Sequence, residues 1–317
     1  FAEKRGSQFI IEHHDGTTLT DFRYVSHHIY KGKPQLQGLP SFIDDKEVET
    51  LVITLKDAHY DVSLVTSYTI YKAHNAIIRN NTILCNEPHI KVKRAYAFSL
   101  DLPKNNYQLM HFPGDWINER NEVIEPLNHG LKRLYSNLGR SSHEQNPVAI
   151  LIDENANQDH GECYGFSHVY SGNFAIDINV DKLNMTRVSM GINDEQFSWL
   201  LNEGDSFVVP EGIMIFSNKG IEGITQTFHN IIRENLINPQ YVNKVRPVIL
   251  NSWEGCYMDF DTQKIIDYID AIDDMNIELF VLDDGWFGKR DNDTRSLGDW
   301  VVNEKKIDLA KVIAHTH

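Results

Sequence analysis

Residues 62–70 read Val-Ser-Leu-Val-Thr-Ser-Tyr-Thr-Ile, and this stretch indicates the fold of the first two thirds of the chain. Side chains on a strand point alternately to opposite faces, so a period of two predicts a strand with one buried face. Similar runs occur at residues 51–55, 173–180 and 207–216, separated by short turn signals such as Asp15-Gly16. The regularity from residue 8 to 217 predicts a large antiparallel sandwich rather than alternating strands and helices.

The pattern changes after residue 217. Apolar residues then recur at steps of three and four, which predicts an amphipathic helix over 220–236, and a polar connector with Pro239 follows. Beyond it come a short apolar strand at 247–250, a helix with an isoleucine stripe, and an apolar strand at 277–282. A strand, a helix and a second apolar strand predict a parallel β-α-β unit. We therefore predict three regions: a sandwich domain (1–217), a linking helix and connector (218–245), and the beginning of a second domain (246–317).

The composition of the chain argues against two classes of binding partner. Lys and Arg total 30 against 45 for Asp and Glu, a net charge of −15 that argues against nucleic acid and anionic membrane surfaces. The apolar runs are also shorter than a membrane-spanning helix needs, so we expect no membrane partner. The cysteines, Cys85, Cys163 and Cys256, are odd in number and far apart, which predicts buried thiols in a reducing compartment, here the cytoplasm.

Polar and aromatic residues follow each of the two predicted parallel strands. Asn251-Ser252-Trp253-Glu254 follows the first strand, and Asp283-Asp284-Gly285-Trp286-Phe287-Gly288 follows the second. Ligands of parallel α/β folds bind beyond the carboxyl ends of the strands, where the loops converge. Carboxylates accept hydrogen bonds from sugar hydroxyls, and aromatic rings pack on sugar C–H faces. The combination points to a carbohydrate ligand.

Each of these features also has a purely structural interpretation. Asp283-Asp284-Gly285 is a favourable turn sequence, because Asp bonds its own backbone and Gly accepts positive φ. The two neighbouring carboxylates are unsuited to be a retaining glycosidase's acid and nucleophile, which lie about 5 to 5.5 Å apart across the scissile bond. Ligand binding is the better role for them. Trp116, in a Pro-Gly loop at 111–120, is either a packing anchor or a sugar platform.

Metal and cofactor chemistry have little support in the sequence. An EF-hand register starting at Asp291 places Ser296 where Gly is required, which argues against calcium. The pairs His13-His14 and His27-His28 would point to opposite faces of a regular strand, so we interpret them as surface or sheet histidines. The sequence contains no Gly-x-Gly-x-x-Gly, Walker A or Gly-x-Ser-x-Gly motif. We expect neither a metal nor a cofactor.

Three groups of residues carry a family resemblance. They are the segment 22–34, the segments Tyr164–Ser167 and Tyr170–Phe174, and above all Leu279–Arg290 followed by Ser296–Trp300. Together they resemble bacterial α-galactosidases of glycoside hydrolase family 36 over residues 20–306. The Asp-Asp-Gly-Trp-Phe-Gly run is highly specific for that family.

The resemblance implies a β-supersandwich followed by a (β/α)₈ TIM barrel, usually in a homotetramer. The implied activity is hydrolysis, with retention, of terminal α-galactosides such as melibiose, raffinose and stachyose. By position, Asp283 and Asp284 match aspartates that bind the galactose hydroxyls, and Trp253 matches an aromatic of the same pocket. Trp116 matches a sandwich-loop tryptophan that helps to form the substrate site, either of its own subunit or of a neighbouring one.

The chain also differs from members of the family in its length and in its catalytic motifs. Family members are more than twice as long, and their nucleophile, in a Lys-Trp-Asp strand end, and their acid/base Asp lie beyond the second barrel strand. Neither motif occurs here, so we expect no catalytic residue in this chain and little activity from the chain alone. The leading hypothesis is a partial α-galactosidase. The alternatives are a non-catalytic galactoside-binding or assembly module and an α-galactosyl transferase on the same scaffold.

Overall fold

The structure, a computed structural model, describes residues 7–44 and 47–317, which form two compact units. The first unit ends at Val242 and the second begins at Asn243. The strands of the first unit, in chain order, are β1 (Phe9–Glu12), β2 (Phe22–Lys31), β3 (Val48–Asp57), β4 (Val62–Tyr71), β5 (Ala76–Cys85), β6 (His89–Leu102), β7 (Gln108–His111), β8 (Val123–Pro126), β9 (Gly130–Ser136), β10 (Val148–Ile152), β11 (Cys163–His168), β12 (Phe174–Val180), β13 (Thr186–Ile192), β14 (Trp199–Asn202), β15 (Ser206–Val208) and β16 (Gly212–Ser217).

These strands form two antiparallel sheets. The larger sheet has the order β2-β3-β4-β5-β16-β11-β10-β7-β8, and β15 also pairs with β5. The smaller sheet has the order β1-β6-β13-β12, with β14 paired to β6 and β9 alongside β12. A 3₁₀ turn at Lys72–His74 is the helical element within the described part of residues 8–217. The predicted antiparallel sandwich is therefore confirmed.

The predicted strand at 207–216 is wrong in one respect. The structure divides it into β15 and β16, which pair with different stretches of β5. The break falls at Val209-Pro210-Glu211, and proline has no N–H to donate to a continuous ladder. The carboxylate of Glu211 is instead buried, where it pairs with Lys33 at 2.5 Å and accepts a hydrogen bond from the Phe42 amide. The break thus anchors the loop between β2 and β3 on the sheet.

Apolar side chains fill the space between the two sheets. Leu151 and Phe166 of the larger sheet belong to one buried cluster with Phe174 and Met190 of the smaller sheet. A second cluster joins β1, β4, β5, β6 and β14. The period of two in the sequence arises because, along each strand, one side chain enters these clusters and the next faces away from them.

The helix α1 (Gly220–Asn235) covers the opposite face of the larger sheet, in agreement with the helix predicted at 220–236. Its Ile224 and Phe228 pack in one buried cluster with Ile150 and Ile215. The central strands are consequently buried on both faces, which the period-two pattern alone did not predict. Gly165 makes this approach possible, because a Cβ there would lie only 2.5 Å from Cε2 of Phe228.

The second unit contains the predicted parallel pair. A short helix α2 (Pro239–Val242) ends the first unit. Beyond it are β17 (Ile249–Asn251), α3 (Trp253–Cys256), α4 (Thr262–Ile272), β18 (Leu279–Val281) and α5 (Leu309–Thr316). Strands β17 and β18 pair in parallel, so the predicted β-α-β connection is confirmed, with both strands shorter than expected. Division of the intact protein into domains at residues 217 and 245 stays a prediction.

The second unit has its own core. Ile265 and Ile266 of α4 are buried in one cluster with Cys256, Phe260 and Val312 of α5. Asp261 caps α4 by accepting a hydrogen bond from the Lys264 amide at 2.9 Å, as N-cap aspartates do. The helices therefore hold the loops that follow β17 and β18 against a common apolar centre.

His168, at the end of β11, is a buried histidine of the first unit. It shares a cavity of about 280 Å³ with Phe42, Ile213 and Phe228. Burial disfavours the charged imidazolium and lowers the pKa of His168 to about 4. In an unfolded chain a histidine titrates near pH 6.5, so between about pH 6.5 and 4 the unfolded chain binds a proton that the native protein does not.

We expect this difference to reduce the free energy of unfolding as the pH falls from about 6.5 to 4, by up to about 3 kcal/mol. Urea unfolding followed across this range should show a steeper acid loss for the native sequence than for His168→Leu. The exposed His89 offers the control, because His89→Leu should keep the native pH slope. Equal slopes for all three proteins would contradict the assignment.

Candidate carbohydrate site at the ends of the parallel strands

The carboxyl ends of β17 and β18 bring Asp283 and Asp284 close to residues that follow β17. The Ser252 amide donates to the Val281 carbonyl at 3.0 Å, and the Asp283 amide donates to Ser252 Oγ at 3.1 Å. Nδ2 of Asn251 donates to Oδ2 of Asp283 at 2.6 Å. The extension of the parallel pairing beyond both strands therefore positions the Asp283 carboxylate.

Asn251 also connects the acidic pair to the predicted aromatic residue. Its Oδ1 accepts a hydrogen bond from the Trp253 amide at 2.8 Å, at the start of α3. The indole of Trp253 is half-buried and meets the ring of Tyr257 edge-on, with ring centroids 5.2 Å apart. Trp253 lines a cavity of about 910 Å³, whereas Asp283 and Asp284 do not line it.

Arg290 holds the second carboxylate. Its Nε lies 2.6 Å from both Oδ1 and Oδ2 of Asp284, and its Nη1 donates to the Arg295 carbonyl at 2.8 Å. Arg290 is buried, and about one fifth of the Asp284 side chain is exposed. Charge-assisted bonds of this kind are strong and directional, so Arg290 fixes the orientation of the Asp284 carboxylate.

The structure contains the predicted turn as well as the acidic pair. The Asp284 amide donates to Asp283 Oδ1, and the Gly285 amide donates to Asp284 Oδ1, both at 2.8 Å. Gly285 has φ of +96°. An ionised carboxylate offers about four lone-pair sites, so these bonds leave each carboxylate able to accept hydrogen bonds from a polar ligand. The turn and the ligand-binding interpretation are therefore compatible.

Trp116 belongs to the first unit. Asp115 and Asn118 exchange two backbone hydrogen bonds of 3.0 Å, which form a tight turn with Trp116 and Ile117 at its tip. Trp116 is 73% exposed. The indole is therefore not buried in the sandwich core, and a role of Trp116 in substrate binding stays a prediction.

The sequence interpretation of His13-His14 was wrong in its geometry. Strand β1 ends at Glu12, and a turn follows it, so the strand alternation does not apply. Nδ1 of His13 and Nδ1 of His14 lie 3.4 and 3.1 Å from the same oxygen, Oε2 of Glu87. His13 is buried and stacks on Tyr60 with ring centroids 3.7 Å apart.

Acidic residues of the loop that follows Arg290 face cations of the protein. Asp291 Oδ1 lies 3.5 Å from Lys306 Nζ, and Asp293 Oδ1 lies 3.8 Å from Arg290 Nη2. Over residues 7–44 and 47–317, no group of three or more His, Cys, Asp or Glu side chains is arranged to hold a metal ion. Across the same described part of the chain, no helix has the length and apolar character to cross a bilayer.

Sequence reasoning missed Asn251, Ser252 and Arg290 as positioning residues of this site. Asn251 is the last residue of β17 and Ser252 follows it, and a position at a strand end was a usable signal for both. Arg290 lies six residues beyond Asp284, in a loop without periodicity. Its pairing with Asp284 is visible only in the tertiary structure.

Comparison with known proteins gives the class of this one. The family model of the glycosyl hydrolase family 36 N-terminal domain matches residues 3–202, and the melibiase model matches residues 206–316. These matches define the class of the protein as a glycosyl hydrolase. The chain belongs to glycosyl hydrolase family 36, and the resemblance seen in the sequence is confirmed. Its fold is an N-terminal β-sandwich domain followed by the start of the catalytic domain.

The chain is similar to α-galactosidase AgaA of Geobacillus stearothermophilus, with 43% identity over 306 residues, 96% of this chain and 42% of that protein. A crystal structure of an AgaA variant in complex with raffinose matches with a TM-score of 0.93 and 42% identity, covering 98% of this chain and 45% of that one. A second AgaA variant, in complex with stachyose, matches with a TM-score of 0.93 and 41% identity, covering 99% and 45%. The chain spans less than half the length of these relatives.

The Arg290–Asp284 pair leads to a prediction about the loop between β18 and α5. Arg290→Met removes the cation from a largely buried carboxylate, which costs about 3 kcal/mol or more when a buried pair is broken. We expect hydrogen exchange at the amides of residues 285–296 to become at least roughly tenfold faster, since local stability controls exchange.

Arg295 is the matched control, because it lies in the same loop and its side chain is exposed. Arg295→Met should leave the exchange of residues 285–296 unchanged. Equal protection in Arg290→Met and the native protein would show that the ion pair does not hold this loop.

Proposed function

We propose that the intact protein containing this chain is a retaining α-galactosidase that hydrolyses terminal α-galactosides of the melibiose, raffinose and stachyose type. The observation that carries the proposal is the Asp283–Asp284 pair, oriented by Asn251 and Arg290 beyond two parallel strands. Family membership supports the enzyme class, and the relative α-galactosidase AgaA, two variants of which were crystallised with raffinose and stachyose, supports the substrate.

In this proposal the carboxylates of Asp283 and Asp284 accept hydrogen bonds from hydroxyls of the galactose ring. Trp253 packs on an apolar face of the sugar. Asn251 and Arg290 act as positioning residues, because they orient the carboxylates through direct hydrogen bonds. A sugar bound in this way is held in a fixed orientation for attack at its anomeric carbon.

The reaction itself requires two further carboxyl groups, which we place outside this chain. One attacks the anomeric carbon and displaces the leaving sugar, while the second protonates the glycosidic oxygen and then activates water. The water releases galactose and regenerates the nucleophile, so the anomeric configuration is retained. This mechanism uses carboxyl groups and water and calls for no cofactor or metal.

The exposure of β17 and β18 supports a larger catalytic domain in the intact protein. Parallel sheets are normally covered on both faces, yet Ile249 and Leu279 are about half exposed. We propose that further strands continue this sheet into the (β/α)₈ barrel. We also propose that residues 1–217 form the sandwich domain, that 218–245 link it to the barrel, and that 246–317 begin the barrel.

A homotetramer and a cytoplasmic location complete the proposal. The exposed turn with Trp116 and Ile117 supports contact with a neighbouring subunit, because large exposed apolar groups favour interfaces. Cys85, Cys163 and Cys256 are buried free thiols, and burial raises the pKa of Cys163 to about 11. Unreactive thiols of this kind are compatible with a reducing compartment.

The intact protein should hydrolyse p-nitrophenyl α-galactoside, and Asp284→Asn should lower kcat/KM roughly 100-fold or more, because a charged acceptor for a sugar hydroxyl is lost. Since Asp284→Asn also weakens the contact with Arg290, Asp283→Asn provides a second variant that leaves that ion pair in place. The control is Asp274→Asn, which changes an exposed carboxylate in the connection between α4 and β18 and should keep native activity.

The same assay separates the alternatives. A folded intact protein that binds melibiose without turnover would be a galactoside-binding module. Longer oligosaccharides formed from raffinose, instead of free galactose, would identify a transferase. Native activity in both Asp283→Asn and Asp284→Asn would contradict the proposed binding site.

An experiment with mixed subunits tests whether Trp116 contributes to substrate binding in a neighbouring subunit. In the intact protein Trp116→Ala should raise KM for raffinose by roughly fivefold or more, since exposed tryptophans at contacts contribute much of the binding energy. If Trp116 serves a neighbouring subunit, co-expression of Trp116→Ala and Asp284→Asn chains should give more activity than the two variants expressed separately. Leu19→Ala, an equally exposed apolar change, should leave KM unchanged.

Light scattering of the same samples should give the mass of a tetramer. A monomeric native protein would contradict the proposed assembly, and tetramers that show no complementation would exclude a role for Trp116 between subunits.

A further inference from the structure

A second cavity lies wholly within the first unit and is not used by the proposed mechanism. Its volume is about 640 Å³, inside the range of roughly 300 to 1,000 Å³ typical of small-ligand sites. Its walls come from five separate places, namely Leu39 between β2 and β3, the segment after β9, the β11–β12 connection, the β13–β14 connection with the ends of both strands, and the stretch from β15 to Pro210.

One wall of this cleft is aromatic. The ring of Phe207 lies between those of Phe197 and Trp199, with ring centroids 5.9 and 5.8 Å away. Trp199 is 53% exposed, so its indole has a large surface that the sandwich does not cover. A flat, exposed aromatic surface of this kind is suited to the C–H face of a sugar ring.

The cleft is also lined by amide side chains. Oδ1 of Asn173 accepts a hydrogen bond from the Gly139 amide at 2.6 Å, which orients the Asn173 side chain, and its Nδ2 carries two donors. Nδ2 of Asn137 lies 3.4 Å from Oε2 of Glu195. Gln196 is exposed and adds a further amide. Amides both donate and accept, as sugar hydroxyls require of their partners.

The charge of the cleft selects against ionic ligands. Among the described residues that line it, Glu195 is the one charged side chain, and none is Lys or Arg. A phosphate or carboxylate ligand would therefore meet a negative charge without a compensating cation. An uncharged ligand with many hydroxyls fits this lining better.

The rim is also preorganised. Asn193 is buried, donates to the Ser136 carbonyl at 3.0 Å and accepts from the Glu195 amide at 2.9 Å, which joins the β13–β14 connection to β9. Gln196 has φ of 61°, a left-handed conformation that is costly for a non-glycine residue and is often found at ligand sites. A rim fixed before binding loses less entropy when a ligand arrives.

We infer that this cleft binds a neutral oligosaccharide, with one sugar ring packed on Trp199 and Phe207 and hydroxyls bonded to Asn173 and Gln196. The inference goes beyond the proposed hydrolysis, since every residue involved belongs to the sandwich and no turnover is required. The cleft would add to the intact protein a carbohydrate-binding function that does not depend on Asp283 or Asp284.

The test is titration of the intact protein with raffinose by calorimetry, in an Asp284→Asn background in which turnover is slowed. Trp199→Ala should weaken one binding event at least roughly tenfold, so that one fewer raffinose is bound per chain. Trp199→Phe keeps an aromatic surface and should restore that event in large part.

Leu200 provides a matched control. It is 54% exposed, lies next to Trp199 on β14, and by strand alternation points to the other face. Leu200→Ala should bind raffinose as the background protein does. Pairing of Trp199 with Val92 on β6 uses backbone groups, so Trp199→Ala should keep the native fold, which thermal unfolding of all variants checks.

Two results would overturn the inference: equal binding by Trp199→Ala and Leu200→Ala, or no binding of raffinose at 20-fold the concentration that saturates catalysis in the native protein. The outcomes for the two proposals are distinguishable. Hydrolysis without Trp199-dependent binding would refute the cleft alone. Binding that depends on Trp199 in a protein without hydrolysis would refute the proposed activity alone. If the native protein does not hydrolyse raffinose, the titration is carried to about 20 mM raffinose.

Discussion

Burial of the larger sheet on both faces is the constraint on which the sandwich depends. In β10, Ala149 and Leu151 face the smaller sheet, while Ile150 and Ile152 face α1. Both sets of side chains must be apolar, because neither face reaches water. Close packing then leaves little room for additional side-chain atoms. Gly165 is needed where the ring of Phe228 reaches the strand. The helix is therefore an integral layer of the first unit, although it follows the last strand in the sequence.

The candidate site depends on the parallel pairing of β17 with β18. A pair of parallel strands aligns the residues that follow each strand at one edge, and backbone pairing continues there through Ser252. Two neighbouring aspartates then acquire different partners, an amide for Asp283 and a guanidinium for Asp284. A carboxylate with a fixed partner can distinguish the hydroxyl positions of a sugar, because its remaining lone pairs point in defined directions.

Aromatic side chains line a cavity in each unit. Trp253 and Tyr257 line the cavity of the second unit, and Trp199 and Phe207 line that of the first. The net charge of −15 disfavours anionic ligands and leaves neutral ones unaffected. The proposed substrate and the proposed ligand of the sandwich cleft are both of this neutral class.

The sequence by itself determined the strand-rich first part, helix α1, the parallel pair and the positions of Asp283, Asp284 and Trp253 at strand ends. These features follow from periodicity, turn chemistry and family motifs, which are local in the chain. Only the tertiary structure decided the burial of both faces of the larger sheet, the choice of Arg290 as the partner of Asp284, and the convergence of His13 and His14 on Glu87. It also assembled the sandwich cleft from five segments between residues 39 and 210. Such contacts join residues that are distant along the chain, and no local pattern of residues specifies which of them will meet.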